Sequence, residues 1–231
     1  WRQRVLAWDA PGWLVVWGGD AVIAHLIIAW AVAQGPVQTA LDGAPAGGVV
    51  TLEAGAIQED LSVPVGVTLT GAAAGSTIFG TLTVMGTVAD LTVDGSLSAP
   101  STGLSLAGDG AVVRNVTVTG FSVGVGCTGA GVSLDSVRVE SCAVGLSVSA
   151  GSATATNSHV LFSTGDGVAI TGGSATIVNN VIVGNGFGQA GSSGLSAGVN
   201  ALIRNNIFVS NAVGLSCAAG CDASHNLIWG N

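Results

Sequence analysis

A motif that recurs every 20 to 26 residues runs from Thr87 to Asn231 and restricts the chain to a solenoid, because a fixed period in this range means one structural unit stacked on its own copies. The segment Ala89–Gly95 aligns with Arg114–Gly120, and the same frame continues through Asp135–Ser141 and Asn157–Ser163. Three further copies are Asn179–Asn185, Asn205–Asn211 and His225–Asn231. The second position of each copy reads Asp90, Asn115, Ser136, Ser158, Asn180, Asn206 and Asn226, at spacings of 25, 21, 22, 22, 26 and 20 residues.

Within each copy apolar residues alternate, as in Val116/Val118, Val137/Val139, Val181/Val183 and Ile207/Val209, which predicts strands with one face buried. A second short strand is expected after Gly124, Gly145, Gly167, Gly194 and Gly214, and a third opens the next copy, as in Val132-Ser133-Leu134. Three short strands and three corners in about 22 residues leave no room for a helix in each unit, so helical and leucine-rich solenoids are excluded. This frame predicts two buried columns, Val116/Val137/Val181/Ile207 and Val118/Val139/Val183/Val209. The longer spacings put their extra residues at corners, 95–101 and 186–193, where insertion leaves the strands in register. The Asn/Ser column from Asp90 to Asn226 is expected to be structural. Side-chain amides about 4.8 Å apart can hydrogen-bond along a stack, and Asn tolerates the left-handed backbone of a sharp corner.

On these repeats the sequence resembles the pectate-lyase-like, right-handed parallel β-helix superfamily. The stretch Pro36–Leu52 strengthens the likeness, since that superfamily has a short amphipathic capping helix leading into the first strand; Glu53–Leu61 and Val65–Ala72 resemble the first coils. The resemblance implies an all-β, right-handed parallel β-helix over residues 36–231 with a capping helix near Val37–Leu41. It implies little chemistry, because the superfamily includes lyases, hydrolases, esterases, adhesins and inert stalks. Its lyases use carboxylate-bound calcium with an Arg or Lys base, its hydrolases several Asp within one to three coils, and its esterases an Asp pair with Arg.

Composition narrows the function classes. Charged residues make up only 8% of the chain, which has no Lys and 37 Gly. Mean hydropathy is +0.66. Interior and corners account for part of this, but the surface must also be largely Ser, Thr, Asn, Gly and Ala, which predicts an extracellular or cell-surface protein, or one held in an assembly. Net charge is −8, and the five Arg are dispersed, so no basic stripe exists for a nucleic-acid backbone. The longest uncharged apolar run, Ala21–Ala33, is too short to cross a bilayer, and Asp9 and Asp20 interrupt any signal-peptide pattern.

Residues 1–35 stand apart. Five of the six Trp lie there, among them Trp8, Trp13, Trp17 and Trp30, around turn signals at Ala10-Pro11-Gly12 and Gly18-Gly19-Asp20. A β-type flap or extra coil over the end of the solenoid is one reading; a docking or sugar-stacking surface, shared with Trp229, is the other. The chain starts at Trp1 and stops partway through a coil at Asn231. Two readings follow: the solenoid continues beyond these residues, or its open strands meet the apolar first 35 residues of a neighbour and build filaments. Cys217 and Cys221 flank a corner that brings them within disulfide range, with buried thiols as the alternative; Cys127 and Cys142 read as small core residues.

Candidates for catalysis are few. Asp94, Thr119 and Glu140 share a column in this frame, with Arg138 on the same outward face, and two coil spacings separate the carboxylates by about 9.6 Å. Arg138 and Glu140 can equally pair with each other, so this is a poor active site and the leading expectation is that the protein is not an enzyme. Asp-x-Asp runs and glycine-rich nonapeptides do not occur, so calcium is not indicated beyond an adventitious ion at Asp90/Asp94, and no cofactor is expected. The function expected is a non-catalytic structural or adhesive β-helix that self-associates or joins a larger extracellular assembly. The alternative is a carbohydrate-active enzyme or glycan-binding module.

Overall fold

Alternate apolar residues on short strands separated by Gly and Asn corners wind this chain into a parallel coil, seen in a computed structural model that describes residues 13–17, 24–28, 35–73, 75–97, 101–218 and 220–231. Three parallel sheets run along the coil. The first extends over nine strands from Val49–Thr51 to Cys221–Ser224, and the second over nine from Gly55–Ile57 to Leu227–Trp229. The third has eight, from Leu61–Val63 to Leu215–Cys217. The chain thus makes eight complete three-strand turns and begins a ninth. Each strand between the ends of its sheet pairs with the equivalent strands of the turns before and after, and the interior is one apolar stack from Val50 and Leu52 to Ile203 and Phe208.

The capping helix spans Pro36–Gly43. Gly35 takes φ 106° ahead of it and Pro36 opens it, an arrangement suited to a helix start because Pro needs no N–H bond there. Its apolar side buries Val37 and Leu41 on the end of the core. Gln38 closes the edge of the third sheet: its Oε1 accepts from the Ser62 N–H at 2.7 Å and its Nε2 donates to the Ser62 carbonyl at 3.1 Å. A side-chain amide here replaces the missing neighbouring strand and blunts that edge. The Glu59 carboxylate accepts from the Gln38 backbone N–H in the helix's first turn. Ahead of the helix, strands Trp13–Trp17 and Ala24–Ile28 pair as an antiparallel hairpin. Trp8 and Trp30 lie outside the described residues.

The register of the second sheet corrects the sequence-based frame. Val118 pairs with Val139, Val139 with Val160, Val160 with Ile182, and Ile182 with Phe208; this is the buried central column. Val181 and Ile207 instead continue the outward column of Thr117, Arg138 and His159, and Val183 and Val209 continue that of Thr119, Glu140 and Leu161. The sequence frame slips by one residue between Ser136 and Ser158. Because side chains alternate across a strand, a one-residue slip exchanges the two faces for every later copy.

The slip also divides the predicted Asn/Ser column in two. One column is the left-handed corner itself: Asp90, Asn115, Ser136, Asn157, Asn179, Asn205 and His225 all have φ between 50° and 60°. The next column turns inward and holds Leu91, Val116, Val137, Ser158, Asn180, Asn206 and Asn226. It is apolar in the earlier turns and polar in the later ones.

Candidate functional site

A second left-handed corner closes the other end of the same short strands, at Gly120, Ser141, Phe162, Gly184, Ser210 and Gly230. The residue after it again turns inward, giving Phe121, Cys142, Ser163, Asn185, Asn211 and Asn231. The later turns therefore carry two internal ladders, five residues apart. In the first, Asn180 Oδ1 accepts from the Ser158 N–H at 2.8 Å, while its Nδ2 donates to the Ala155 and Val178 carbonyls and to Asn206 Oδ1. Asn206 repeats this toward Asn226. In the second, Asn185 serves Ser163, Val160, Val183 and Asn211 in the same way, and Asn211 continues to Asn231. These amides pair with backbone groups and with one another inside the coil, as buried polar groups require.

Glycine provides the space for the second ladder. Gly167 and Gly194 face it from the start of the third sheet. A Cβ on Gly167 would lie 2.8 Å from Asn185 Cγ, and one on Gly194 would lie 2.8 Å from Asn211 Cγ. The recurrent Gly before each third-sheet strand is thus an interior clearance for the neighbouring column.

Several titratable groups on the outer surface are held in ion pairs or by neighbouring backbone and amide groups. Asp94, Thr119 and Glu140 do stand in one column of the second sheet, with Arg138 two residues before Glu140 on the same strand. Arg138 Nε and Nη2 both reach Glu140 Oε2, at 2.9 and 2.5 Å. Asp94 Oδ1 accepts from the Ser96 N–H at 2.8 Å, bracing its own turn. Asp90 accepts from Asn115 Nδ2. Arg114 lies beside Asp135 in register, and Arg204 pairs with Asp222 at 2.5 Å. Hydrogen bonds from Asn157 first and Thr156 second, aided by the Arg114 charge, hold the Asp135 carboxyl below its ordinary range. Burial raises the Glu59 carboxyl against the hydrogen bonds at the helix start. Among the described residues no three His, Cys, Asp or Glu side chains converge to hold a metal ion.

The cysteines divide between surface and core. Cys217 and Cys221 are joined by a disulfide across the last corner between the third and first sheets. Cys127 and Cys142 are free and buried, and burial alone pushes the Cys127 thiol up to about 12.

One surface feature was hidden by the slipped frame. On the outer face of the second sheet the early turns present Thr77, Phe79, Thr92, Asp94, Thr117, Thr119, Arg138 and Glu140. From His159 onward they present Leu161, Val181, Val183, Ile207, Val209, Leu227 and Trp229, so one end of this face is mostly polar and the other apolar. Phe162 flanks the apolar part, its ring against Gly184 of the next turn. Phe187 stands exposed on the corner loop 186–193, which Asp166 anchors by accepting from the Ser193 N–H and hydroxyl.

The family described as "Right handed beta helix region" matches residues 79–231. The chain belongs to that family. No curated protein matches it in sequence. Among solved structures this β-helix is similar to the pectate lyase Pel9A, at 14% identity and a TM-score of 0.48, over 81% of this chain and 73% of that one. It is also similar to the PL6 family alginate lyase AlyGC, at 14% identity and a TM-score of 0.41, over 84% of this chain and 40% of that one. The β-helix therefore spans less than half of the alginate lyase. No helix among its described residues is long and apolar enough to cross a membrane.

Proposed function

We propose that this β-helix is a non-catalytic structural or adhesive protein that works outside the cell or on its surface, within a larger assembly. One observation carries the reading: the outward groups best placed for acid–base work are already engaged, Arg138 with Glu140 and Asp94 with a backbone N–H. Glu140 holds both Arg138 nitrogens and Asp94 holds its own turn, so no free base faces a free acid in that column. A charge-poor surface supports the extracellular setting. The test is incubation of the purified protein with pectate, alginate and neutral polysaccharides, following unsaturated uronate and new reducing ends. No turnover is expected, and Glu140→Gln should behave as the parent. Turnover that Glu140→Gln abolishes would make the protein an enzyme.

A glycan-binding module is the second reading, favoured by exposed Phe162, Phe187 and Trp229, whose rings suit stacking on sugars. A glycan array decides it. Binding that is lost in Phe187→Ala and kept in Glu140→Gln would replace the structural role with recognition.

A further inference from the structure

We propose that Asn115 is an acceptor site for N-linked glycosylation. The run Asn115-Val116-Thr117 is an Asn-x-Thr tripeptide whose middle residue is not Pro, the pattern that oligosaccharide transfer requires. The pattern alone is common, and the fold decides whether the amide can be reached. Asn180, Asn185, Asn206 and Asn211 are buried in the two internal ladders. Asn115, Asn157, Asn179 and Asn205 instead stand exposed on the left-handed corner between the first and second sheets. Of these, only Asn115 has a hydroxyl side chain two residues on; the others precede His159, Val181 and Ile207. The one complete tripeptide in the chain thus falls on an outward corner, with Val116 turned into the core and Thr117 on the outer face of its strand.

The corner accommodates the product. Transfer joins Nδ2 to the anomeric carbon of an oligosaccharide carried on a lipid diphosphate. The diphosphate leaves with the electron pair of the broken C–O bond, and Nδ2 gives up one proton. The nitrogen keeps its second N–H. Asn115 Nδ2 needs only one N–H for its bond to Asp90 Oδ1, at 2.8 Å, so this link between turns is compatible with the modification. The surface also gains from it. With 8% charged residues and no Lys the protein presents few strongly solvated groups, and an attached sugar chain is bulky and solubilising. Asn115 leads into strand Thr117–Thr119, which lies between Thr92 and Asp94 on one side and Arg138 and Glu140 on the other. A glycan at this corner therefore borders the polar end of the second sheet's outer face, where it would compete with any polymer lying across that column.

The inference rests on the extracellular reading, because the sugar donor is met on the secretory route, and the experiment separates the two. The full chain is expressed behind a secretion leader in cultured animal cells, and medium and lysate are each treated with peptide N-glycosidase. Treatment should increase gel mobility and convert the modified side chain to aspartate, read by mass spectrometry of the peptide that contains Arg114. Thr117→Ala should abolish the shift and Thr117→Ser should restore it. Both variants keep Asn115 and its corner, so a circular dichroism spectrum like the parent's shows that the loss is not one of folding. A parent chain unmodified in both fractions overturns the proposal and leaves the extracellular reading standing. So does modification that persists in Thr117→Ala, or sugar found on Thr117 itself. Modified protein that stays in the lysate supports the site and counts against the extracellular reading instead.

Discussion

Two serines at equivalent inward corners meet different surroundings, and the difference predicts how each tolerates loss of its hydroxyl. Ser158 Oγ donates to the Thr156 carbonyl at 2.7 Å and accepts from the Val137 N–H at 3.0 Å. Ser163 Oγ, five residues on, is buried without a partner, while its N–H donates to Asn185. Ser158→Ala should therefore cost about 1–3 kcal/mol, since it orphans a buried N–H, whereas Ser163→Ala should stay within about 0.5 kcal/mol of the parent. Urea denaturation of the two variants is the comparison, and equal losses would refute it. Asp135 gives a prediction for pH. Its folded pKa is depressed, so its stabilising contribution is present above the unfolded aspartate pKa of about 3.9 and is lost as pH falls through the lower folded value. Carboxyl NMR should show Asp135 titrating below an ordinary aspartate, and Asn157→Ala should move it back upward.

At the scale of the strand and corner, the glycine column sets the limits. Gly167→Ala would bring a methyl 2.6 Å from the Gly194 carbonyl oxygen and 2.8 Å from Asn185 Cγ, so ladder or strand must shift, at a cost of about 1–3 kcal/mol. Gly198→Ala meets only the Ile170 carbonyl oxygen, at 3.7 Å, and should be neutral or slightly stabilising when both variants are compared by urea denaturation. What could be read from sequence follows the same physics. Period, three strands per turn and capping helix were all legible, because alternating apolar residues and regularly placed Gly leave few other ways to pack. The phase of the later copies was not. Asn157 and Ser158 both suit an Asn/Ser position, and Val181-Ile182-Val183 and Ile207-Phe208-Val209 are apolar throughout, so alternation cannot say which residue points inward. The left-handed corner decides, and it falls on Asn157, Asn179 and Asn205. The second ladder did leave a signal: Asn185, Asn211 and Asn231 recur five residues after Asn180, Asn206 and Asn226, opposite the glycines that make room for them.

At the scale of the whole rod, each turn contacts only its neighbours, so a local weakness should stay local. The Cys217–Cys221 disulfide tests this, because it clamps the corner between strands Leu215–Cys217 and Cys221–Ser224 in the last turns. The bridge joins residues four apart, and chain entropy for so short a loop gives about 2 kcal/mol of stabilisation. Breaking it with Cys217→Ser/Cys221→Ser should act on the two or three turns around it. Amide hydrogen exchange should quicken in strands Leu215–Cys217, Cys221–Ser224 and Leu227–Trp229, and more weakly in Ala201–Arg204 and Ile207–Val209. Strands from Val49–Thr51 to Val144–Val148, held by their own apolar columns and by the helix at the far end, should exchange at the parent rate. Uniform acceleration along the chain would instead show that the β-helix unfolds as a single cooperative block, with the corner bridge contributing to all of it.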